Sequence, residues 1–133
     1  MRNLPSRHVL GGATALLVLL AGCGGNKRVV NVAAAAPGQK VTVEMKASNY
    51  AFDPGRIVAR VGDTLVLHII NVSQEKHDIT VKNPSGKIIK SEDLPSGQTV
   101  TVEVPLPTAG VYQFFCAIDF HAGLGMKGRI EVQ

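Results

Sequence analysis

Val41-Thr42-Val43-Glu44-Met45-Lys46 sets apolar against polar residues with a period of two, and Thr99-Val100-Thr101-Val102-Glu103-Val104 repeats the pattern nearer the C-terminus. Successive side chains on an extended chain point to opposite faces, so alternation of this kind buries one face and wets the other. Working outward, further strand candidates lie at 56–61, 64–70, 77–82, 86–89, 110–116 and 127–132. Turn signals separate them: Asp53-Pro54-Gly55, Gly62-Asp63, Asn83-Pro84-Ser85-Gly86, Pro95-Ser96-Gly97 and Pro105-Leu106-Pro107. About eight short strands, with no amphipathic helix longer than two turns, imply an all-β domain over residues 41–133. An antiparallel Greek-key β-sandwich or barrel is expected.

The chain has 133 residues, enough for one compact domain and too few for a multidomain enzyme. Lys plus Arg number 14 against 10 Asp plus Glu. Loss of Arg2 and Arg7 with the leader described next leaves a net charge of about +2, scattered along the chain, so nucleic acid is not an expected partner. With only Cys23 and Cys116, a multi-disulfide scaffold is excluded.

Residues 1–22 read as an export signal. Arg2 and Arg7 precede the apolar run Ala15-Leu16-Leu17-Val18-Leu19-Leu20, and the apolar stretch 9–21 is too short to span a bilayer, which needs about 20 residues. Leu20-Ala21-Gly22-Cys23 resembles the bacterial lipoprotein box, which implies cleavage before Cys23, lipidation of its thiol and stable anchoring at a membrane, facing the periplasm or the cell exterior. Residues 24–40 (GGNKRVVNVAAAAPGQK) lack a period of two. With lipidated Cys23 they read as a flexible tether, 23–40, though Ala33–Ala36 could form a helical turn.

The chemistry gathers in Phe115-Cys116-Ala117-Ile118-Asp119-Phe120-His121-Ala122-Gly123-Leu124-Gly125-Met126-Lys127-Gly128, where a thiol, an imidazole and a thioether stand within eleven residues. Thiolate and thioether favour Cu(I) and imidazole serves both oxidation states, so two histidines, a cysteine and a distant methionine suit copper. A second histidine must come from elsewhere. His77, after the loop 71–76, falls at a sheet end. Singly, each residue has a plainer reading: Cys116 a buried thiol, Met126 core filler, His77 and His121 surface residues.

Taken in order, the set resembles the cupredoxins, blue-copper electron carriers of the plastocyanin, azurin and auracyanin type. Phe52-Asp53-Pro54 with Ile57-Val58-Ala59-Arg60-Val61-Gly62-Asp63-Thr64-Leu65 is similar to their early strands, and Gly125-Met126-Lys127-Gly128-Arg129-Ile130-Glu131-Val132 to their last. The resemblance implies one copper ion per chain held by His77, Cys116 and His121 with Met126 axial. It also implies a monomeric, non-enzymatic carrier whose partners are redox proteins of a respiratory or photosynthetic chain. Three departures stand out. The spacing around His121 is a hybrid of family spacings, Asp78 replaces the usual Asn after the first histidine, and Ala117 replaces Ser or Thr after the cysteine. The side-chain hydrogen bond that ties the two ligand segments is therefore expected to be missing.

His68, flanked by Val66 and Ile70 on its side of a strand, reads as structural or surface, and Met45 as core. No GxSxG, P-loop or HExxH is present, and a binuclear copper loop needs two cysteines as Cys-x3-Cys where this loop has only Cys116. Copper delivery or storage is the alternative function. The chain has few Met and His for such a role. The apolar loop residues Phe115 and Phe120 are expected to cover the metal, with His121 at the centre of a partner face that includes Leu124, Ala51, Phe52 and Pro54.

Overall fold

A computed structural model describes residues 28–33 and 36–133. The export signal and Cys23 lie outside the described residues. Among the described residues, ten strands form two packed sheets: β1 Val29–Asn31, β2 Lys40–Ser48, β3 Ala51–Asp53, β4 Arg56–Ala59, β5 Thr64–Asn71, β6 His77–Lys82, β7 Ile88–Leu94, β8 Thr99–Pro105, β9 Gly110–Phe115 and β10 Lys127–Val132. The six-stranded sheet runs β1-β4-β10-β9-β6-β7 and the four-stranded sheet β3-β2-β5-β8. The expected all-β sandwich is therefore present, but its sheets are mixed. Pairs β1–β4, β4–β10 and β2–β5 are parallel.

The period of two does the sorting. Val43, Met45 and Ala47 of β2 face inward, as do Leu65, Leu67 and Ile69 of β5, while Glu44 and His68 pair across the outer face at 3.0 Å. Met45 is thus core and His68 an outer-face residue, as their alternation implies. Phe52 and Phe114 meet edge to face between the sheets, centroids 5.5 Å apart, and each such buried side chain contributes about 1.5–3 kcal/mol. β10 can lie this close to the core because Gly128 has no side chain: a Cβ there would stand 2.3 Å from the Phe114 ring and 2.5 Å from the Gly55 carbonyl oxygen.

Three elements differ from the sequence reading. β3 is too short to show a period. β7 continues through Lys90-Ser91-Glu92-Asp93, where an edge strand with solvated faces carries no apolar alternation. β1 falls inside the stretch read as tether: Val29–Asn31 adds to the sheet edge beside β4, and Asp63 Oδ1 accepts hydrogen bonds from the amides of Gly38 and Gln39 at 2.9 and 3.3 Å.

Candidate metal centre

His77 opens β6, Cys116 follows β9 and His121 lies in the turn before β10, so three segments deliver side chains to one end of the sandwich. Nδ1 of His77 is 3.2 Å from Nδ1 of His121. Cys116 Sγ stands 4.0 Å from the first and 3.5 Å from the second. A circle through atoms so spaced has a radius of about 2 Å, the length of a metal–nitrogen or metal–sulfur bond (about 2.0–2.3 Å). Two imidazole nitrogens and a sulfur thus converge on a single point, with no carboxylate in the set.

Each donor is prepared by its surroundings. Nε2 of His77 lies 3.1 Å from Asn49 Oδ1 and 3.0 Å from Ser73 Oγ. A proton on Nε2 satisfies these acceptors and leaves the Nδ1 lone pair facing the centre. Buried Asn71 holds the preceding loop: its Nδ2 donates to the carbonyls of Glu75 and Leu94, both at 2.8 Å, and its Oδ1 accepts from the Ser73 hydroxyl at 2.7 Å. Burial, with His121 second, pushes the His77 pKa down, which keeps the ring neutral and able to bind metal at neutral pH. Burial pushes the Cys116 thiol up, so metal uptake displaces its proton.

The missing tie between ligand segments is in fact made. Asp78, nearly buried, accepts a hydrogen bond from the Ala117 amide through Oδ1 and from the Thr80 hydroxyl through Oδ2 at 3.0 Å. A carboxylate and a backbone N–H do what a side-chain pair was expected to do. The ligand loop also closes on itself, since the Cys116 amide donates to the Met126 carbonyl at 3.1 Å and the Met126 amide to the His121 carbonyl at 3.0 Å. Met126 is fully buried beside Cys116.

The cover differs from expectation. Phe120 is 84% exposed and shields nothing, Phe115 is half-buried on the outer face of the large sheet under Lys82, and Phe52 and Pro54 belong to the interior. Tyr50 takes the covering role, its ring centroid 4.7 Å from that of His121. Tyr50, Asn49 and Ser73 escaped the sequence reading because their contacts join segments far apart in the chain. Asn71 carried a weak signal as an Asn-x-Ser turn, with the Ser73 amide donating to its Oδ1 at 3.0 Å.

The family model described as a cupredoxin-like domain matches residues 12–132. The chain belongs to the cupredoxin-like family. No curated protein matches it closely enough to count as a relative. Among solved structures, this cupredoxin is similar to dithionite-reduced auracyanin from Roseiflexus castenholzii, at 21% identity and TM-score 0.61 over 74% of this chain and 99% of that one. It is equally similar to auracyanin A, a blue copper protein from Chloroflexus aurantiacus, at 24% identity and TM-score 0.61 over 71% and 99%. A multi-copper oxidase from Pediococcus acidilactici shares the fold at 16% identity and TM-score 0.56, over 71% of this chain and 26% of that one. In the cupredoxin fold, the cluster of His77, Cys116 and His121 fits one type 1 copper ion.

Proposed function

We propose that this cupredoxin is a lipid-anchored carrier that passes single electrons between redox proteins through one copper ion, which His77, Cys116 and His121 would hold with Met126 as a weaker fourth donor. The observation that carries this reading is the triangle of His77 Nδ1, His121 Nδ1 and Cys116 Sγ, fixed by partners outside the metal. Bound copper supplies a one-electron couple. The chain does the rest. Asn49 and Ser73 hold His77, Asp78 holds the Cys116 segment, and Tyr50 packs on His121, so the donors keep their places whichever charge the metal carries and little reorganises on transfer. Buried His77 and Cys116 exclude water, and His121, its side chain 12% exposed, is the edge nearest solvent.

A closed donor set of this kind leaves little room for a substrate, which favours a carrier over an enzyme. It equally disfavours delivery or storage, which calls for donors that a metal can leave. Around His121, exposed Phe120 and Leu124 form an apolar rim suited to brief docking; transient redox interfaces bury less than about 1,200 Å². The export signal and the Cys23 box support attachment to a bacterial membrane from the outside. One visible spectrum of the oxidised, copper-loaded protein tests the core of this reading: an intense thiolate-to-copper band and a reversible one-electron couple are expected, and a colourless protein with copper bound would refute it.

A further inference from the structure

β1 runs parallel to β4, and β4 to β10, with Val29 beside Arg56 and Arg56 beside Arg129. β10 leaves the ligand loop one residue after Met126. All three strands therefore start at the end of the sandwich that carries the copper ligands and run away from it, so the chain enters the domain at the copper end. Arg28 pins the entry: its Nε donates to Asp53 Oδ1 at 3.0 Å, and its carbonyl accepts from the Arg56 amide.

Cys23 and Arg28 are five residues apart, so even a fully extended link between them reaches no more than about 18 Å. The eight residues of β5 alone extend about 26 Å, so a lipid on Cys23 holds the copper end near the headgroups and leaves the other end a strand length further out. The side chains at that end suit the position. Phe120 is 84% and Leu124 60% exposed, and a groove on the outer face of the large sheet is lined by Lys82, Lys127 and Arg129 with no carboxylate among its lining residues. Arg129 shares its charge with Glu131 at 2.7 Å. Glu75 Oε2 lies 3.9 Å from Nε2 of His121 and Asp93 pairs with Lys76 at 2.8 Å, so both signs of charge occur at this end and the orientation is set by the entry of the chain and the apolar rim.

We infer that the copper end of this domain faces the bilayer that anchors it, and that the partner meeting the Phe120–Leu124 rim is a redox protein embedded in that bilayer. This rests on the lipid anchor and the carrier role proposed above. One electron crosses the rim at a time, the partner being oxidised as the copper site is reduced, with no bond made or broken.

The chain has no tryptophan, so a single introduced indole reports its own distance from lipid. The processed, lipidated full chain, reduced and copper-loaded, is placed on phosphatidylglycerol-containing vesicles carrying nitroxide-labelled lipid. Phe120→Trp and, as an independent reporter, Leu124→Trp should be quenched severalfold more than Thr108→Trp in the loop before β9 at the opposite end. Twenty Gly/Ser residues inserted between Asn26 and Lys27 should erase most of that difference. Equal or stronger quenching at residue 108 overturns the orientation. Failure to partition with vesicles, with Cys23 unmodified, overturns the anchor and the orientation together. Absence of the visible band when the same copper-loaded sample is reoxidised, with the quenching difference intact, refutes the carrier reading and the redox partner while the orientation stands.

Discussion

Asp78 and Ala117 are hydrogen-bonded across the two segments that carry the copper ligands, the carboxylate of the first accepting from the amide of the second. One residue away on either side stand His77 and Cys116. The bond therefore fixes the separation of the two donors by tying β6 to the backbone just beyond β9. The other carboxylate oxygen accepts from the Thr80 hydroxyl at 3.0 Å, which helps hold the Asp78 side chain in place.

Asp78→Ala should remove the charged acceptor of the Ala117 amide, a loss of about 1.5–3 kcal/mol, and broaden or shift the visible band. Asp78→Asn keeps an acceptor and removes a negative charge beside the metal, so the fold should be restored while the reduction potential rises. Denaturant midpoints and voltammetry on the two variants separate the effects; an unchanged potential in Asp78→Asn would show that the charge is not felt at the copper.

Cys116→Ser should abolish the visible band. Met126→Leu should keep copper and colour and raise the potential, because a weak axial donor is replaced by an apolar group. Copper content by mass spectrometry alongside the spectrum checks both, and complete loss of copper from Met126→Leu would count against an axial role.

Asn49 and Ser73 both face Nε2 of His77, so either can hold it alone. Single alanine variants should lose little. The double variant should weaken copper binding about 10- to 100-fold, the usual effect of removing a partner that orients a ligand, as read by competition with a chelator.

Gly128→Ala should destabilise the domain by about 1–3 kcal/mol or more, since the added carbon meets the Phe114 ring and the Gly55 carbonyl oxygen. Chemical denaturation of the metal-free protein measures this directly. A neutral result would require β10 to move away from the core without loss of packing.

Glu131 is held at about 2, below its ordinary 4.5, first by its hydrogen bond to Arg56 and then by that to Arg129. A depressed carboxylate stabilises the fold fully above its unfolded value, near 4.5, and that contribution disappears as pH falls toward 2. Titration of the carboxyl carbon by NMR should place the midpoint near 2 in the native chain and closer to 4.5 in Arg56→Ala.

How much of this was legible in advance depended on whether one residue or several carried the signal. β2, β5 and β8 announced themselves because each buries one face against a continuous core, and a half-buried strand must alternate. β7 did not, since an edge strand with polar faces resembles a loop in composition. β1 was hidden in an apparent tether for a related reason: Val29, Val30 and Asn31 gain their role from the edge of β4, not from any pattern of their own.

Local order along the chain determined the sandwich class and the donor types, because burial and metal preference act on residues one at a time: a period of two across the strands, then His77, Cys116, His121 and Met126 in sequence. Tertiary structure alone decided which pairs are parallel, how Asp78 reaches Ala117, that Tyr50 and not Phe120 covers His121, and that the chain enters at the copper end. Each of these is a relation between segments distant in sequence, set by the three-dimensional register of strands. No residue type or spacing along one segment encodes it.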